Sequence, residues 1–170
     1  MSPRTVEGMG GGRGRKAVIA ASRFNREVVE GLVEGAVEVL TGAGVDDGDI
    51  TLIWTPGALE LPLVLRRAVR SLRPDLAVAL GCVIRGETAH FEHVGRASID
   101  GLVEVSLEED LPVGIGILTV DTLEQARVRS GRASETDPAK EEEDRHRGRE
   151  AARAALETAG LLEGLKGTGD

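Results

Sequence analysis

The segment DLAVALGCVIR, residues 75–85, decides the fold. It is an unbroken apolar run, and such runs are typical of central strands in parallel sheets, because helices cover both faces of those strands. Polar side chains appear where the run ends, in GETAHFEHV, residues 86–94. The segment therefore predicts a buried parallel sheet, with polar groups placed directly after one of its strands.

Strands and helices alternate on either side of this segment. Short β-rich runs at 16–24, 50–57 and 112–120 predict three further strands. Segments with helical periodicity follow the strands, at 25–44, about 58–72, about 96–108 and from 122, and a last helix is predicted at about 145–162. Repeated strand-helix units form right-handed crossovers. We therefore expect an α/β domain, a three-layer α/β/α sandwich of the flavodoxin-like kind with a four-stranded parallel sheet.

Local signals predict where the helices begin and end. Asn25 is placed to cap the first helix, and Gly42 or Gly44 is placed to end it. Pro62 fits the first turn of the second helix, and Thr122 is expected to cap the helix in TLEQARVRSG. The first helix should bury one apolar stripe, made of Val29, Leu32, Val33, Ala36, Val37 and Leu40.

Composition narrows the classes of function. The 170 residues carry a formal net charge of -8 without a basic stripe, which argues against nucleic acid as a partner, because phosphate backbones are bound by clustered Lys and Arg. No segment is long and apolar enough to span a membrane. Cys82 is the only cysteine, so an intrachain disulfide is excluded and a reducing, cytoplasmic location is expected.

Cofactor and metal sites are not expected. Histidine and cysteine are too few for a zinc site. A dinucleotide-binding GxGxxG in a strand-turn-helix setting and a Walker lysine motif are both missing.

Two segments are expected to lie outside the packed part of the chain. Residues 1–15 lack the apolar stretch of a secretion signal, and we predict a disordered N-terminal tail before a single domain at 16–165. The stretch at about 132–146 is strongly charged and unusually long for a connection, so we predict a solvated insertion there.

Polar side chains are expected to converge at one edge of the sheet. In open α/β sheets, ligands bind outside the carboxyl ends of the strands. The segments at those ends are 22–25, 55–60, 85–90 and 119–122. We therefore expect a pocket where these four segments meet.

The loop after residues 75–85 offers the first candidates for chemistry. Unpaired backbone amides at Gly86, Glu87 and Thr88 could hold an anion such as phosphate, although the same glycine also suits an ordinary strand-to-helix turn. His90 could act as a general acid or base near neutral pH. The alternative for His90 is a surface or structural histidine.

Three other side chains are candidates for ligand binding. Aromatic residues make up only 2% of the chain, so Phe24 at a strand end stands out as a ring that could stack on a flat heterocycle; its alternative is core packing. Glu60 could accept hydrogen bonds from a polyol, or interact with the first turn of a helix. Arg129 could bind phosphate, or simply face water.

Five blocks of sequence, in order and at matching spacing, resemble the lumazine synthase family: SRFN (22–25), WTPGALELP (54–62), GCVIRGETAHFEHV (81–94), PVGIGILT (112–119) and EQARVRSG (124–131). The likeness resumes at GREAARAALE (148–157). The resemblance implies a transferase of riboflavin biosynthesis that works without a cofactor. Its reaction, the penultimate step, condenses 5-amino-6-(D-ribitylamino)uracil with 3,4-dihydroxy-2-butanone 4-phosphate to 6,7-dimethyl-8-ribityllumazine, phosphate and water.

The resemblance also implies where the uracil substrate binds. Phe24 would stack on the uracil ring. The ribityl chain would be held by Ala58, Leu59 and Glu60, and the pyrimidine edge would meet Cys82, Val83 and Ile84.

The phosphate side is implied in the same way. Glu87 and Thr88 would bind the butanone phosphate, and His90 would move protons during imine formation and phosphate loss. In the family the pocket lies between adjacent subunits of a pentamer, so Ile115 and Arg129 would come from a neighbour and the monomer would be inactive. Riboflavin synthase is a further partner that the resemblance suggests.

The chain departs from the family pattern at two places. Ile115 stands where an aromatic residue usually closes the pocket, so weaker ground-state binding is expected. The charged insertion replaces a short turn, and HRG (146–148) aligns with the usual Asn-Lys-Gly, which makes Arg147, Arg145 or Lys140 a candidate for the usual lysine. Because that turn helps pentamers form icosahedral shells, we expect an isolated pentamer or a paired decamer.

Two other functions are alternatives on the same fold. A non-catalytic protein that binds lumazine or riboflavin would keep the stacking ring, but it has little use for both His90 and Arg129. A flavodoxin-like signalling module would place an acidic cluster after the first strand, where this chain has Ser22, Arg23 and Phe24.

Overall fold

The computed structural model describes residues 3–134 and 145–166. The elements are β1 (Ala17–Ser22), α1 (Arg26–Gly42), β2 (Ile50–Thr55), α2 (Leu61–Leu72), β3 (Leu76–Ile84), α3 (His90–Glu108), β4 (Val113–Val120), α4 (Leu123–Arg129) and α5 (Arg147–Lys166). A single 3₁₀ turn at Ala58–Glu60 leads into α2. Most of the insertion predicted at about 132–146 lies outside the described residues, and Lys140 lies outside them too.

The four strands form one parallel sheet in the order β2-β1-β3-β4. Residues 76–82 of β3 are buried, and this strand pairs with β1 on one side and β4 on the other. The prediction of a central strand covered on both faces is confirmed.

Helices cover both faces of the sheet. Along β1, Ala17, Ile19 and Ala21 pack in one apolar cluster with α1 and α5. Val18 and Ala20 point to the opposite face and pack in a second cluster with α2 and α3. Alternate side chains of a strand lie on opposite faces, so the strand separates two cores and the three-layer α/β/α sandwich is confirmed.

The predicted start of α3 at about residue 96 was wrong, because the helix begins at His90. Gly95 lies inside α3 and does not end a preceding loop. A Cβ at Gly95 would lie 2.6 Å from Thr119 Cγ2, so a side chain at this position would have to displace Thr119 of β4. His90 is therefore a residue of the first helical turn.

Asn25 occupies the N-cap position of α1, as predicted, and its carbonyl oxygen accepts hydrogen bonds from the N–H groups of Val28 and Val29. Its side chain, however, makes no capping hydrogen bond, and its backbone adopts the left-handed conformation (φ 55°). Its Nδ2 instead donates to the carbonyl oxygen of Cys82 at 3.0 Å. Asparagine tolerates this backbone conformation better than most residues, so Asn25 joins the loop after β1 to the end of β3.

Other local predictions are confirmed. Thr122 Oγ1 accepts a hydrogen bond from the backbone N–H of Gln125 at 3.2 Å and caps α4. Pro62 lies in the first turn of α2. Helix α1 ends at Gly42, and Gly44 follows with a φ of +99°.

Residues 3–15, for which the sequence predicts disorder, contain no helix or strand. The N–H of Gly12 donates to the carbonyl oxygen of Ala43 at 2.9 Å. Arg15 Nη2 pairs with Glu163 Oε2 at 2.7 Å. The segment thus lies against the end of α1 and the second half of α5.

Candidate active site

A cavity of about 330 Å³ opens at the carboxyl ends of β1, β2 and β3. The structure brings together there most of the residues that the sequence singled out: Phe24, Ala58, Leu59, Glu60, Cys82, Val83, Ile84, Thr88 and His90. The lining is completed by Gly57, Gly86, Phe91 and Val94. The cavity lies where the rule for open α/β sheets places a ligand.

Hydrogen bonds to backbone carbonyl groups fix the loops after β1 and β2. The N–H of Arg23 donates to the carbonyl oxygen of Thr55 at 2.8 Å. Thr55 Oγ1 in turn donates to the carbonyl oxygen of Gly57 at 2.8 Å. With the bond from Asn25 to Cys82, these contacts place Phe24 beside the turn that carries Glu60.

Phe24 stands at the rim of the cavity with 71% of its surface exposed. Core packing, the alternative considered for this residue, is therefore excluded in the described chain. An exposed aromatic face over an apolar cavity can stack on a flat ring and bury both faces of the contact.

The turn at Ala58–Glu60 gives the cavity one polar wall. Ala58 is buried, whereas Glu60 is exposed at the cavity. A Cβ at Gly57 would lie 3.0 Å from Glu60 Oε2, so glycine leaves the space that the carboxylate occupies. A carboxylate in this position can accept hydrogen bonds from hydroxyl groups.

The carboxyl end of β3 forms the floor of the cavity. Cys82 is buried, and burial raises the pKa of its thiol to about 12. Only the thiolate is an effective nucleophile, so Cys82 stays protonated near neutral pH and is not a nucleophile there. Its neighbours Val83 and Ile84 add half-buried apolar surface.

His90 lies beside a helix N-terminus that can attract an anion. It is the first residue of α3, and its backbone N–H donates to Thr88 Oγ1 at 3.4 Å. The first turn of a helix carries unpaired amides and a partial positive charge, which favour phosphate. The side chain of His90 is exposed at the cavity and close to that position.

Three of the predicted site residues do not line this cavity: Glu87, Ile115 and Arg129. Glu87 is exposed between Gly86 and Thr88 but outside the lining. Ile115 lies in the middle of β4, paired with Ala79, and packs toward α2 and α3.

Arg129 lies in a second cavity of about 240 Å³ at the end of β4. Arg145, Arg147, Glu150 and Thr119 are among the other lining residues. Arg129 Nη1 donates to the carbonyl oxygen of Gln125 at 3.2 Å, and Arg147 Nη1 pairs with Glu150 Oε2 at 2.9 Å. Three arginines and one glutamate make this cavity suited to an anion.

Sequence reasoning did not place Phe91 or Val94 at the cavity, because it began α3 too late. Phe91 lies under the guanidinium of Arg85, which is 4.4 Å from the ring centroid. Arg85 also pairs with Asp121 at 2.6 Å. The rarity of aromatic residues was the available signal for Phe91.

Residues 3–134 and 145–166 contain no group of three or more His, Cys, Asp or Glu arranged to hold a metal ion. No helix in the same ranges is long and apolar enough to cross a membrane.

Comparisons with known proteins identify the family. A family model described as 6,7-dimethyl-8-ribityllumazine synthase matches residues 14–163. A protein of that name from Gemmatimonas aurantiaca is 47% identical over 152 residues, which is 89% of this chain and 87% of the relative. Its namesake from Edwardsiella ictaluri is 42% identical over 164 residues, 96% of this chain and 99% of the relative. A third, from an Anaeromyxobacter species, is 46% identical over 149 residues, 88% of this chain and 85% of the relative. The chain belongs to the 6,7-dimethyl-8-ribityllumazine synthase family.

Proposed function

We propose that this protein condenses 5-amino-6-(D-ribitylamino)uracil with 3,4-dihydroxy-2-butanone 4-phosphate to give 6,7-dimethyl-8-ribityllumazine. The observation that carries the proposal is one cavity that combines an exposed ring, a carboxylate and a histidine at a helix N-terminus. Each of these groups meets a different part of the two substrates. Family membership supports the same reaction.

The uracil substrate fits the side of the cavity near β1 and β2. Phe24 stacks on the pyrimidine ring, and the Glu60 carboxylate accepts hydrogen bonds from the ribityl hydroxyls. The apolar surface of Ala58 and Leu59 lies along the chain, and the edge of the ring faces Cys82, Val83 and Ile84. Orientation of this kind supplies much of the acceleration of a condensation between two bound substrates.

The butanone phosphate fits the side near α3. The loop at Gly86, Glu87 and Thr88 and the first amides of α3 hold its phosphate. His90 is then next to the reacting carbonyl and moves protons as the imine forms, water is lost and phosphate leaves.

The phosphate binds more strongly if a second copy of the chain adds cations. Among the described residues that line the Phe24 cavity, His90 is the only basic side chain. Arg129 lies in the separate cavity beside Arg147. We therefore assign Arg129 of one subunit to the site of its neighbour, with Arg147 in place of a lysine and Ile115 covering the bound ring.

A pentamer, alone or paired as a decamer, is the assembly that we propose. Apolar side chains exposed on α2 and α3, such as Leu63 and Leu107, support contacts between subunits. The protein would act in the cytoplasm, where riboflavin synthase would use its product.

A lumazine-formation assay, followed by absorbance and fluorescence, tests the proposed function. We expect product from the wild type and a kcat about 10²- to 10⁴-fold lower for His90→Ala, because proton transfer is lost. His93→Ala is the matched control, since His93 is exposed on the same helix outside the cavity lining. A wild-type protein that binds the uracil without forming product would instead be the non-catalytic binder.

A further inference from the structure

His146 is a buried histidine that the proposed reaction does not use. Only 8% of its surface is exposed. The ring fills a slot between two glycines, one on α1 and one after α4. A Cβ at Gly35 would lie 2.2 Å from His146 Cε1, and a Cβ at Gly131 would lie 3.1 Å from Cδ2 and Nε2. Gly35 cannot carry a side chain while the ring is in place, and at Gly131 a side chain would be tight against the ring and strained by the φ of +72°.

The same residue caps α5. The carbonyl oxygen of His146 accepts the hydrogen bond of the Glu150 N–H at 3.1 Å. Its ring Nδ1 accepts a hydrogen bond from the Arg149 N–H at 3.4 Å. A side chain that accepts from the third residue of a helix satisfies one of the amides left unpaired at the helix start. His146 thus fixes both the position and the first turn of α5.

The first turn of α5 carries two residues of the arginine-rich cavity. Arg147 and Glu150 line it with Arg129, and they pair with each other at 2.9 Å. Arg149 points to the other side, where its Nη2 pairs with Glu38 of α1 at 2.8 Å. Anchoring α5 to α1 therefore determines where Arg147 lies relative to Arg129.

We propose that His146 is a positioning residue, which holds the start of α5 so that Arg147 and Glu150 face the same phosphate site as Arg129. This inference rests on the proposed function, because that function assigns the cavity to the phosphate of the butanone substrate. His146 touches no substrate and acts through α5.

The protonation state of the ring matters for this role. Nδ1 must be unprotonated to accept from the Arg149 N–H. Burial, and secondarily the charge of Arg149, lowers the pKa of His146 below its usual 6.5, while backbone groups of His146 and Ser130 and the Glu38 carboxylate oppose the shift. The charged groups on the elements that pack against the ring are Arg26, Glu27, Glu30, Glu34 and Glu38 on α1, Glu124, Arg127 and Arg129 on α4, Arg132 after α4, Arg145 before α5, and Arg147, Arg149 and Glu150 in the first turn of α5.

The sign of the pH dependence follows from the lowered pKa. The folded protein favours the neutral ring, so the stability contributed by the cap is present above the unfolded pKa of 6.5. This stability is lost as the pH falls from 6.5 through the pKa that His146 has in the folded protein. Phosphate itself gains a proton as the pH falls, which weakens its binding. Below about pH 6.5 the affinity should fall further than this effect alone predicts, because His146 becomes protonated.

Binding of inorganic phosphate to the whole protein, measured by titration calorimetry at about pH 7.5 and about pH 5.5, tests the inference. We expect His146→Ala to weaken phosphate binding about tenfold at the higher pH, because a small displacement of Arg147 removes a directed contact. The KM for the butanone phosphate should rise in parallel, and the KM for the uracil should stay within about twofold.

His146→Asn is the matched variant. Asparagine can cap a helix but does not titrate, so its phosphate affinity should equal that of the wild type at the higher pH. It should also fall less than the wild-type affinity at the lower pH. The charge of phosphate changes equally for both proteins. Any difference between their changes in affinity is therefore due to protonation of the His146 ring.

Three results would overturn the inference: equal pH dependence in the wild type and His146→Asn, no phosphate binding to the wild type, or tight binding by a less stable His146→Ala. If His146→Ala does not fold, the comparison of the wild type with His146→Asn still tests the inference. Wild-type product formation with unchanged phosphate binding in both variants would refute the positioning role alone. Loss of phosphate binding in His146→Ala, with no product from the wild type, would refute the proposed function alone.

Discussion

At the scale of single residues, the site depends on side chains whose backbones are held from far away in the chain. Phe24 leaves most of a large ring in water, beside a residue in the left-handed conformation. That neighbour, Asn25, is fixed by its hydrogen bond to Cys82, 57 residues along the chain. Because the backbone on either side of Phe24 is anchored, no loop has to be ordered when a flat ligand covers its ring.

Phe24→Leu should weaken binding of the uracil and leave the fold unchanged. Loss of the aromatic face removes stacking worth about 0.5 to 1.5 kcal/mol, so the KM for the uracil should rise about 2- to 10-fold. Because the ring is exposed, the free energy of unfolding should change by less than about 0.5 kcal/mol. Steady-state kinetics and urea unfolding measure the two quantities.

Phe91→Leu is the control for this prediction, since its ring is half-buried under Arg85 and should contribute more to stability. An unchanged KM for Phe24→Leu together with a clear loss of stability would show that Phe24 serves packing and not substrate binding.

At the scale of elements, the position of α5 is determined by small residues on the surfaces that meet. A Cβ at Gly148 of α5 would lie 2.0 Å from the carbonyl oxygen of Leu32 on α1. A Cβ at Gly114 of β4 would lie 1.9 Å from the carbonyl oxygen of Ala151. Helix α5 therefore approaches a helix and a strand at backbone distance, which brings Arg147 to the end of β4.

Gly148→Ala should destabilise the protein although alanine favours helices. The methyl group meets the backbone of Leu32, which cannot move as a side chain can, and such overpacking costs about 1 to 3 kcal/mol. Gly42→Ala is the matched control, because nothing lies within 4 Å of its Cβ position at the end of α1. That change should stabilise by about 0.4 to 1 kcal/mol. A shift of the urea midpoint in the same direction for both variants would contradict this account of α5.

At the scale of the whole molecule, the groups for the proposed reaction lie in two separate cavities. Phe24, Glu60 and His90 line one, and Arg129 and Arg147 line the other. A closed ring of identical subunits can bring the first cavity of each copy to the second cavity of the next. If the proposed assembly forms, it completes the active site and is not only a source of stability.

Mixing two inactive variants tests this arrangement. His90→Ala and Arg129→Ala should each lose most activity, and pentamers reassembled from equal amounts should regain about a quarter of the wild-type activity. In random mixing, about one site in four draws an intact His90 from one subunit and an intact Arg129 from its neighbour. Homopentamers of either variant treated in the same way are the controls. No recovery in verified mixed assemblies would show that both residues act within one chain.

The sequence by itself determined the sheet and much of the cavity. Continuous burial of β3 between two layers of helices excludes polar residues from its centre, so the pattern of residues 75–85 was enough to predict a buried parallel strand. The alternation of strands and helices along the chain predicted the rest of the parallel sheet. The carboxyl ends of parallel strands lie at the same edge of the sheet, so it could be predicted from the sequence that Phe24, Glu60 and Thr88 lie near one another, and they line one cavity. Local caps such as Thr122 depend on neighbours in the chain and were predictable for that reason.

Only the tertiary structure decided the rest. Gly95 lies inside α3 against Thr119 of β4, a contact that the local sequence does not indicate. Arg129 lies apart from Phe24, and His146 fills a slot made by Gly35 and Gly131. These features depend on contacts between residues far apart in sequence. Local hydrophobic patterns and secondary-structure propensities do not predict such contacts.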